Sequence, residues 1–353
     1  MQKRYLEAAT ARMGAVAAFF MLGAVLFGAL LTHAWAGEPS AASGAGPNPT
    51  STPTPTLAAH APRGVPQGYV VTPFGFFHPS CVHPVGRDQV LLGDGRIERA
   101  DGTTIPVRAC AYPSYATQGA RIAPAGTASS AGLPVPGLAG TSPSADGWLE
   151  ASWFNDKAPF GGIAAKWLVP SGPSSDAGQV LYYFPGLEDY ENVVTILQPV
   201  LGWNGFNDHA WTISSWNCCT SGNVNYSNPE GVGTGDTIVG TVSGDCAAGK
   251  MCSTWNVATV DKTNGRQSTL KQTSSFGQTF DWAFAGVVEV YGVSACDQYS
   301  ANGFVDFTSV SLLDVYDKRI RRPGWQASGL LQDSAPPCNY GVSVAPTSAS
   351  LTF

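Results

Sequence analysis

Two polar side chains stand in stretches that otherwise read as buried strand. Gln198 follows Val193-Val194-Thr195-Ile196-Leu197, a run too β-branched for a good helix. Glu289 stands within residues 280–293, a second apolar strand pattern. Strand side chains alternate, so Gln198 shares a face with Val194 and Ile196, and Glu289 with Val287, Tyr291 and Val293. An amide or a carboxyl on an apolar face is costly without a partner, and burial raises a carboxyl's pKa. On neighbouring strands the two would satisfy each other and leave one polar pair on an apolar wall. Such a pair has usable chemistry. A carboxyl can take a proton and return it, and an amide can hold water and donate to a developing oxyanion. A structural Gln–Glu hydrogen bond, or two unrelated residues at strand ends, fits the same residues.

The elements that must hold this pair are strands. Residues 182–184 are aromatic, Pro185-Gly186 is expected to turn, and Glu188, Asp189 and Glu191 form an acidic loop before the Gln198 strand, which is expected to end there. Strands are expected at 147–154, 161–169, 178–184, 192–198, 209–216, 236–243, 254–260, 267–273, 278–293 and 303–315, with turn residues at short intervals. No helix-period run follows residue 36 and no internal repeat is present. The pattern predicts an all-β antiparallel sandwich over 147–353 with a small β-rich segment before it. About 200 residues suffice for one two-sheet core.

The order of short motifs in residues 148–313 resembles the glutamic peptidases, or eqolisins. Their chains carry a V-P loop, a W-V-G-I-D turn, I-L-Q-T-G, Y-D-A-W-Y-E-W, G-D-x-I and A-E-F-I-I-E. Here the counterparts are Val169-Pro170, Phe184-Pro185-Gly186-Leu187-Glu188, Ile196-Leu197-Gln198, Trp211-Thr212-Ile213-Ser214-Ser215-Trp216, Gly235-Asp236-Thr237-Ile238 and Val287-Val288-Glu289. The resemblance implies a lectin-like (concanavalin-type, jelly-roll) sandwich with Gln198 and Glu289 as a catalytic dyad. It implies a groove lined by Phe184, Glu188, Trp203, Trp211, Ser215 and Trp216. Departures sit around the dyad. Pro199-Val200 replaces Thr-Gly, Phe184 replaces Trp, Glu188 replaces Asp, and Ser215 stands where the family has a second carboxylate. The implied activity is secreted acid endopeptidase on polypeptide substrates, with no cofactor and no metal. The alternative is a non-catalytic lectin-like protein binding glycans or surfaces. A glycoside hydrolase would need two carboxyls flanking a sugar, and only Glu188 and Glu150 offer themselves beside Glu289.

Residues 1–36 read as a secretory signal. Lys3, Arg4 and Arg12 precede a long apolar run, and Ala34-Trp35-Ala36 is a small-x-small cleavage site. A retained membrane anchor is the alternative. Without residues 1–36, 16 basic and 24 acidic residues remain, a charge of −8 with no Lys/Arg cluster, which excludes nucleic acid as the expected partner. A monomer with no membrane contact after signal removal is expected. Residues 37–63 and 121–146, rich in Ala, Gly, Pro, Ser and Thr, read as linkers. Between them, 64–120 form a compact unit with turns at Gly93-Asp94-Gly95 and Ala100-Asp101-Gly102. This unit is either a removable pro-segment or an integral module. Eight cysteines follow the signal, as in an oxidising compartment. Cys81–Cys110, Cys246–Cys252 and Cys296–Cys338 are plausible pairs, while adjacent Cys218 and Cys219 rarely pair with each other. His78, Cys81 and His83, like His209, Cys218 and Cys219, lack zinc-ligand spacing.

Overall fold

A computed structural model describes residues 53–59, 61–122, 147–191 and 194–353. The expected signal and most of both expected linkers lie outside them. Among the described residues the regular structure is β, with three short 3-10 turns.

The N-terminal part contributes β1 (Val70–Thr72), β2 (Gly75–Phe77), β3 (Val82–Val85), β4 (Val90–Leu91), β5 (Ile97–Glu98), β6 (Thr104–Ile105), β7 (Ser114–Tyr115) and β8 (Arg121–Ile122). The strands β4-β5-β6 form the meander that the two Asp-Gly turns announced, with Gly95 and Gly102 at positive φ. The hairpin β1-β2 continues through β7 to β8 as a four-stranded sheet. β3 leaves this unit and pairs in parallel with β14 (Val224–Ser227).

The sandwich follows. Its nine-stranded sheet has the path β21-β9-β19-β11-β12-β13-β14-β3, with β15 (Glu230–Val232) beside β13. Here β9 is Trp148–Asn155, β11 Val180–Glu188, β12 Ile196–Trp203, β13 Trp211–Cys218, β19 Trp282–Tyr291 and β21 Gln326–Ser328. The seven-stranded sheet runs β18-β17-β16-β10-β20-β23-β22. Its strands are β10 Phe160–Leu168, β16 Thr237–Gly244, β17 Thr254–Asp261, β18 Gln267–Ser274, β20 Phe304–Asp314, β22 Gly341–Ala345 and β23 Ser348–Thr352.

Strand alternation creates two apolar layers. The first lies between the sheets and holds Leu149, Ile163, Trp167, Leu181, Tyr183, Leu197, Leu201, Ile213 and Val288. The second lies on the opposite face of the nine-stranded sheet. Tyr182, Phe184, Ile196, Val200, Trp216, Phe284 and Val287 meet Tyr69, Val70, Val71, Phe74, Phe76 and Phe77 there. The architecture is therefore three layers, and residues 69–77 close the outer face of the nine-stranded sheet.

Two local expectations change. Pro185-Gly186 does not turn, because β11 runs straight through them to Glu188. The Gln198 strand does not end at Gln198, because β12 starts at Ile196 and continues through Pro199 to Trp203. Pro199 survives in an internal strand because Pro185 stands level with it across β11. Neither has an N–H, and the pairing steps from Tyr183–Leu201 to Leu187–Leu197 over this gap. Residues 53–59, expected as linker, are partly tied down, with Thr56 N–H donating to the Gly205 carbonyl at 3.0 Å and Ala58 N–H to that of Tyr69 at 2.9 Å.

Three disulfides pair as the spacing suggested: Cys81–Cys110, Cys246–Cys252 and Cys296–Cys338. The fourth joins the neighbours Cys218 and Cys219, against expectation. No helix of the described residues is long and apolar enough to cross a membrane, and no three of their metal-binding side chains cluster.

Candidate functional site

Gln198 and Glu289 fall on one face. Ile196 and Val200 place Gln198 on the outer face of the nine-stranded sheet, and Val287 and Tyr291 place Glu289 there too. The two do not stand side by side. Glu289 is level with Tyr182 on β11, and Tyr182 with Gly202 on β12, four residues beyond Gln198. Strand spacing of about 4.8 Å and a rise of about 3.4 Å per residue put the two Cα atoms roughly 16 Å apart. The β19 residue level with Gln198 is Phe284, reached across Gly186. A β-bulge lies between the two levels. Four residues of β19, Phe284 to Val287, lie against three of β11, Gly186 to Phe184.

Each polar group has its own surroundings. Glu289 is fully buried and its carboxylate accepts from the Tyr291 hydroxyl. Gln198 is fully buried as well, and neither its Oε1 nor its Nε2 has a hydrogen-bond partner among the described residues. Gly186 leaves room beside it, since a Cβ there would come within 3.5 Å of the Gln198 Cγ. The carboxyl that the register brings nearest to Gln198 on this face is Glu188. It is buried, level with Ile196 on β12 and Trp282 on β19, and two residues from the level of Gln198 on an adjacent strand. Diagonal neighbours of that kind lie about 7–8 Å apart, within reach of long side chains. Beyond Glu188 the acidic loop continues. Asp189 accepts from Thr279 N–H at 3.0 Å, and Asp281 accepts from Tyr190 N–H at 2.8 Å. Burial holds the Asp281 pKa above its ordinary value, with Asp189 adding repulsion.

The expected groove lining divides between two faces. Phe184, Glu188 and Trp216 share the face of Gln198, with Trp216 level with it on β13. Trp203, Trp211 and Ser215 point into the core between the sheets, the odd positions of their strands, and cannot line an outer groove. Trp203 donates from its indole to Asp176 at 3.0 Å. The Ser215 hydroxyl bonds the Thr259 hydroxyl at 3.0 Å and the Ser268 carbonyl at 2.8 Å. Glu150 also turns inward, paired in register with Val288 and away from Glu289. Glu150 therefore does not stand beside Glu289 as the second of two carboxyls flanking a sugar.

Sequence reasoning missed the cover. Phe74 meets Trp216 edge-on at 6.0 Å, Phe76 meets Tyr291 at 5.4 Å, and the Tyr182 hydroxyl donates to the Val71 carbonyl at 3.2 Å. The signal was present in Gly68-Tyr69-Val70-Val71-Thr72-Pro73-Phe74-Gly75-Phe76-Phe77, whose residues are apolar on both strand faces. A lone exposed hairpin does not carry apolar residues on both faces.

No family model matches the sequence, and no curated protein does. Solved structures similar to the chain include scytalido-glutamic peptidase with a peptide-based transition state analog, at 15% identity, covering 58% of this chain and 98% of that one with a TM-score of 0.42. Another is SCP-B, a member of the eqolisin family of peptidases, in a complex with the tripeptide Ala-Ile-His, at 16% identity, 59% and 98% coverage and a TM-score of 0.42. A third is the CBM2 module of the Lactobacillus casei BL23 phage J-1 evolved Dit, at 12% identity, 40% and 54% coverage and a TM-score of 0.24. Likeness at this level carries no chemistry across.

Proposed function

We propose that this chain is a secreted peptidase of the glutamic type, made with its working face closed, in which Gln198 and Glu188 perform the chemistry. The observation that carries this reading is the Gln198 carboxamide, which is fully buried with both polar atoms unpartnered. An unpaired buried amide costs on the order of 1–3 kcal/mol. A strand centre that keeps one beside a carboxyl is built for a polar guest. With the face open, Glu188 takes a proton from water as its oxygen attacks the scissile carbonyl carbon. The Gln198 N–H donates to the carbonyl oxygen as it gains charge. Glu188 then returns the proton to the departing amine as the C–N bond breaks. Glu289, bonded to Tyr291, holds the far end of the face. Export rests on the signal-like residues 1–36 and on the four disulfides.

The second reading, a non-catalytic lectin-like binder, is favoured by Phe284, an apolar residue level with Gln198 where an opposing carboxyl would stand. One experiment separates the two. Full-length protein, cut within 123–146, is assayed on denatured protein and on a glycan array from about pH 2 to 7, the range in which a carboxyl cycles its proton. The expected result is cleavage that Glu188→Gln abolishes and that Gln198→Ala lowers by about 10²-fold, while Glu289→Gln retains most of it. Loss in Glu289→Gln with activity kept in Glu188→Gln would return the base to Glu289. Inert protein that binds glycans equally in wild type and variants would establish the second reading.

A further inference from the structure

The chain already holds a polypeptide strand against the Gln198 face, and the contacts are those of a peptide in a recognition groove. Residues 53–58 cross an aromatic cluster at one end of that face. Phe206 stacks on Trp216 at 5.7 Å, and Trp216 lies 5.2 Å from Tyr226. The Tyr226 hydroxyl donates to the Pro53 carbonyl at 2.9 Å, and the Thr56 N–H donates to the Gly205 carbonyl at 3.0 Å. Between these two main-chain anchors Pro55 is buried, while Pro53, Thr54 and Leu57 are exposed. Here a main-chain carbonyl and a main-chain N–H are both held by hydrogen bonds, with a buried proline between them, and recognition of extended proline-containing segments uses that combination in aromatic-lined grooves. Trp216 belongs to this cluster and is also level with Gln198, so the groove leads to the candidate site.

We infer that the Phe206–Trp216–Tyr226 groove is a subsite for an extended, proline-containing polypeptide, which the chain's own residues 53–58 occupy in cis. The inference rests on reading the Gln198 face as a peptide site and names the kind of peptide it takes. The cis segment competes at high effective concentration because it is part of the same chain. That advantage ends at a single cut. The disulfide of the N-terminal part, Cys81–Cys110, closes within it, and the other three close within the sandwich. After a break within 123–146, residues 53–122 are held by non-covalent contacts alone.

The test uses the full chain with a specific protease site substituted within 123–146, before and after cutting. The probe is a fluorescent peptide with the sequence of residues 51–60, followed by anisotropy, while size exclusion reports release of the N-terminal piece. Binding is expected to be at least about tenfold tighter after cutting than before. It should weaken about tenfold when the probe carries Pro55→Ala or the protein carries Phe206→Ala. Tyr226→Phe, which keeps the ring, should weaken it severalfold. Absence of probe binding to cut protein that has released its N-terminal piece overturns the inference. Equal binding of the Pro55→Ala probe, or retention of the piece against a large excess of probe, overturns it as well. If the probe binds and no denatured protein is cleaved, this subsite stands and the catalytic reading falls. If cleavage occurs without probe binding, the catalytic reading stands and the subsite falls.

Discussion

Gln198 costs stability where it stands. Its amide gives up water and gains no partner, whereas leucine of similar volume would gain the packing of Ile196, Val200 and Trp216 around it. Gln198→Leu should therefore raise the unfolding free energy by roughly 1–3 kcal/mol, seen as a higher urea midpoint with an unchanged slope. It should also remove whatever activity the open face has. A neutral or destabilising result would mean that the amide is satisfied in solution. Glu150 makes a different statement at the same scale. Burial between the sheets raises its pKa to about 8 from 4.5, with the Gly341 N–H opposing in part. A carboxyl whose folded pKa lies above its unfolded value favours folding fully below pH 4.5 and loses that contribution as pH rises toward and past 8. With about 1.4 kcal/mol per pKa unit, the loss amounts to a few kcal/mol. Denaturant unfolding from about pH 4 to 9 should show wild type weakening toward alkaline pH, and Glu150→Gln should flatten that slope. Equal slopes would place the titration elsewhere.

At the scale of elements, the strands were legible from alternation and turn residues: nine of the ten expected strands in 147–353 coincide with strands to within a few residues, while the one expected at 192–198 lies at Ile196–Trp203. The same period named the strand-mates that share a face with Gln198 and with Glu289, and both fall on the outer face, whereas Trp203, Trp211 and Ser215, expected in the same groove, fall on the inner one. What alternation does not carry is register. The pairing of β12, β11 and β19 leaves Glu289 four residues along the face from the level of Gln198 and Glu188 only two. Nothing in a single strand's pattern encodes an offset between strands two places apart. The turn expected at Pro185-Gly186 failed for a related reason: proline is tolerated inside a sheet when its missing donor faces a second missing donor. The cover was half legible, since the apolar residues of 69–77 demanded a partner that only the assembled sheet supplies. Its attachment has a titratable point. The His83 Nε2 donates to the Asn223 Oδ1 at 3.0 Å on the β3–β14 pairing, and burial holds the His83 pKa below its ordinary 6.5. The Asn223 bond opposes that shift, and the Asn223 amide also donates to the Arg108 carbonyl at 3.0 Å. A histidine with a depressed folded pKa weakens its site as pH falls through 6.5 toward that lower value. Protein cut within 123–146 should release residues 53–122 more readily near pH 5 than near pH 7.5 on size exclusion, with the change centred at or below the ordinary histidine value. His83→Gln should remove much of that difference. Release independent of pH would free His83 of the role.

The whole molecule joins three layers through two unlike seams. Between the sheets the seam is a continuous apolar core crossed by side-chain hydrogen bonds such as that of the Asn217 amide to the Thr273 hydroxyl at 2.8 Å. Between the nine-stranded sheet and the N-terminal layer the seam is aromatic edges and a few main-chain hydrogen bonds. The N-terminal layer also does something unrelated to the face it covers. Through β3 it supplies the last strand of the nine-stranded sheet, pairing Val82 to Val85 along Val224 to Ser227. Take that strand away and β14 becomes a free border, with a row of N–H and C=O groups turned to water. Proteins elsewhere guard such borders with charge or proline, and Val224-Asn225-Tyr226-Ser227 has neither. Maturation by loss of the N-terminal layer would thus convert a sealed sheet into one that seeks a new strand, and self-association becomes the hazard that accompanies an open face.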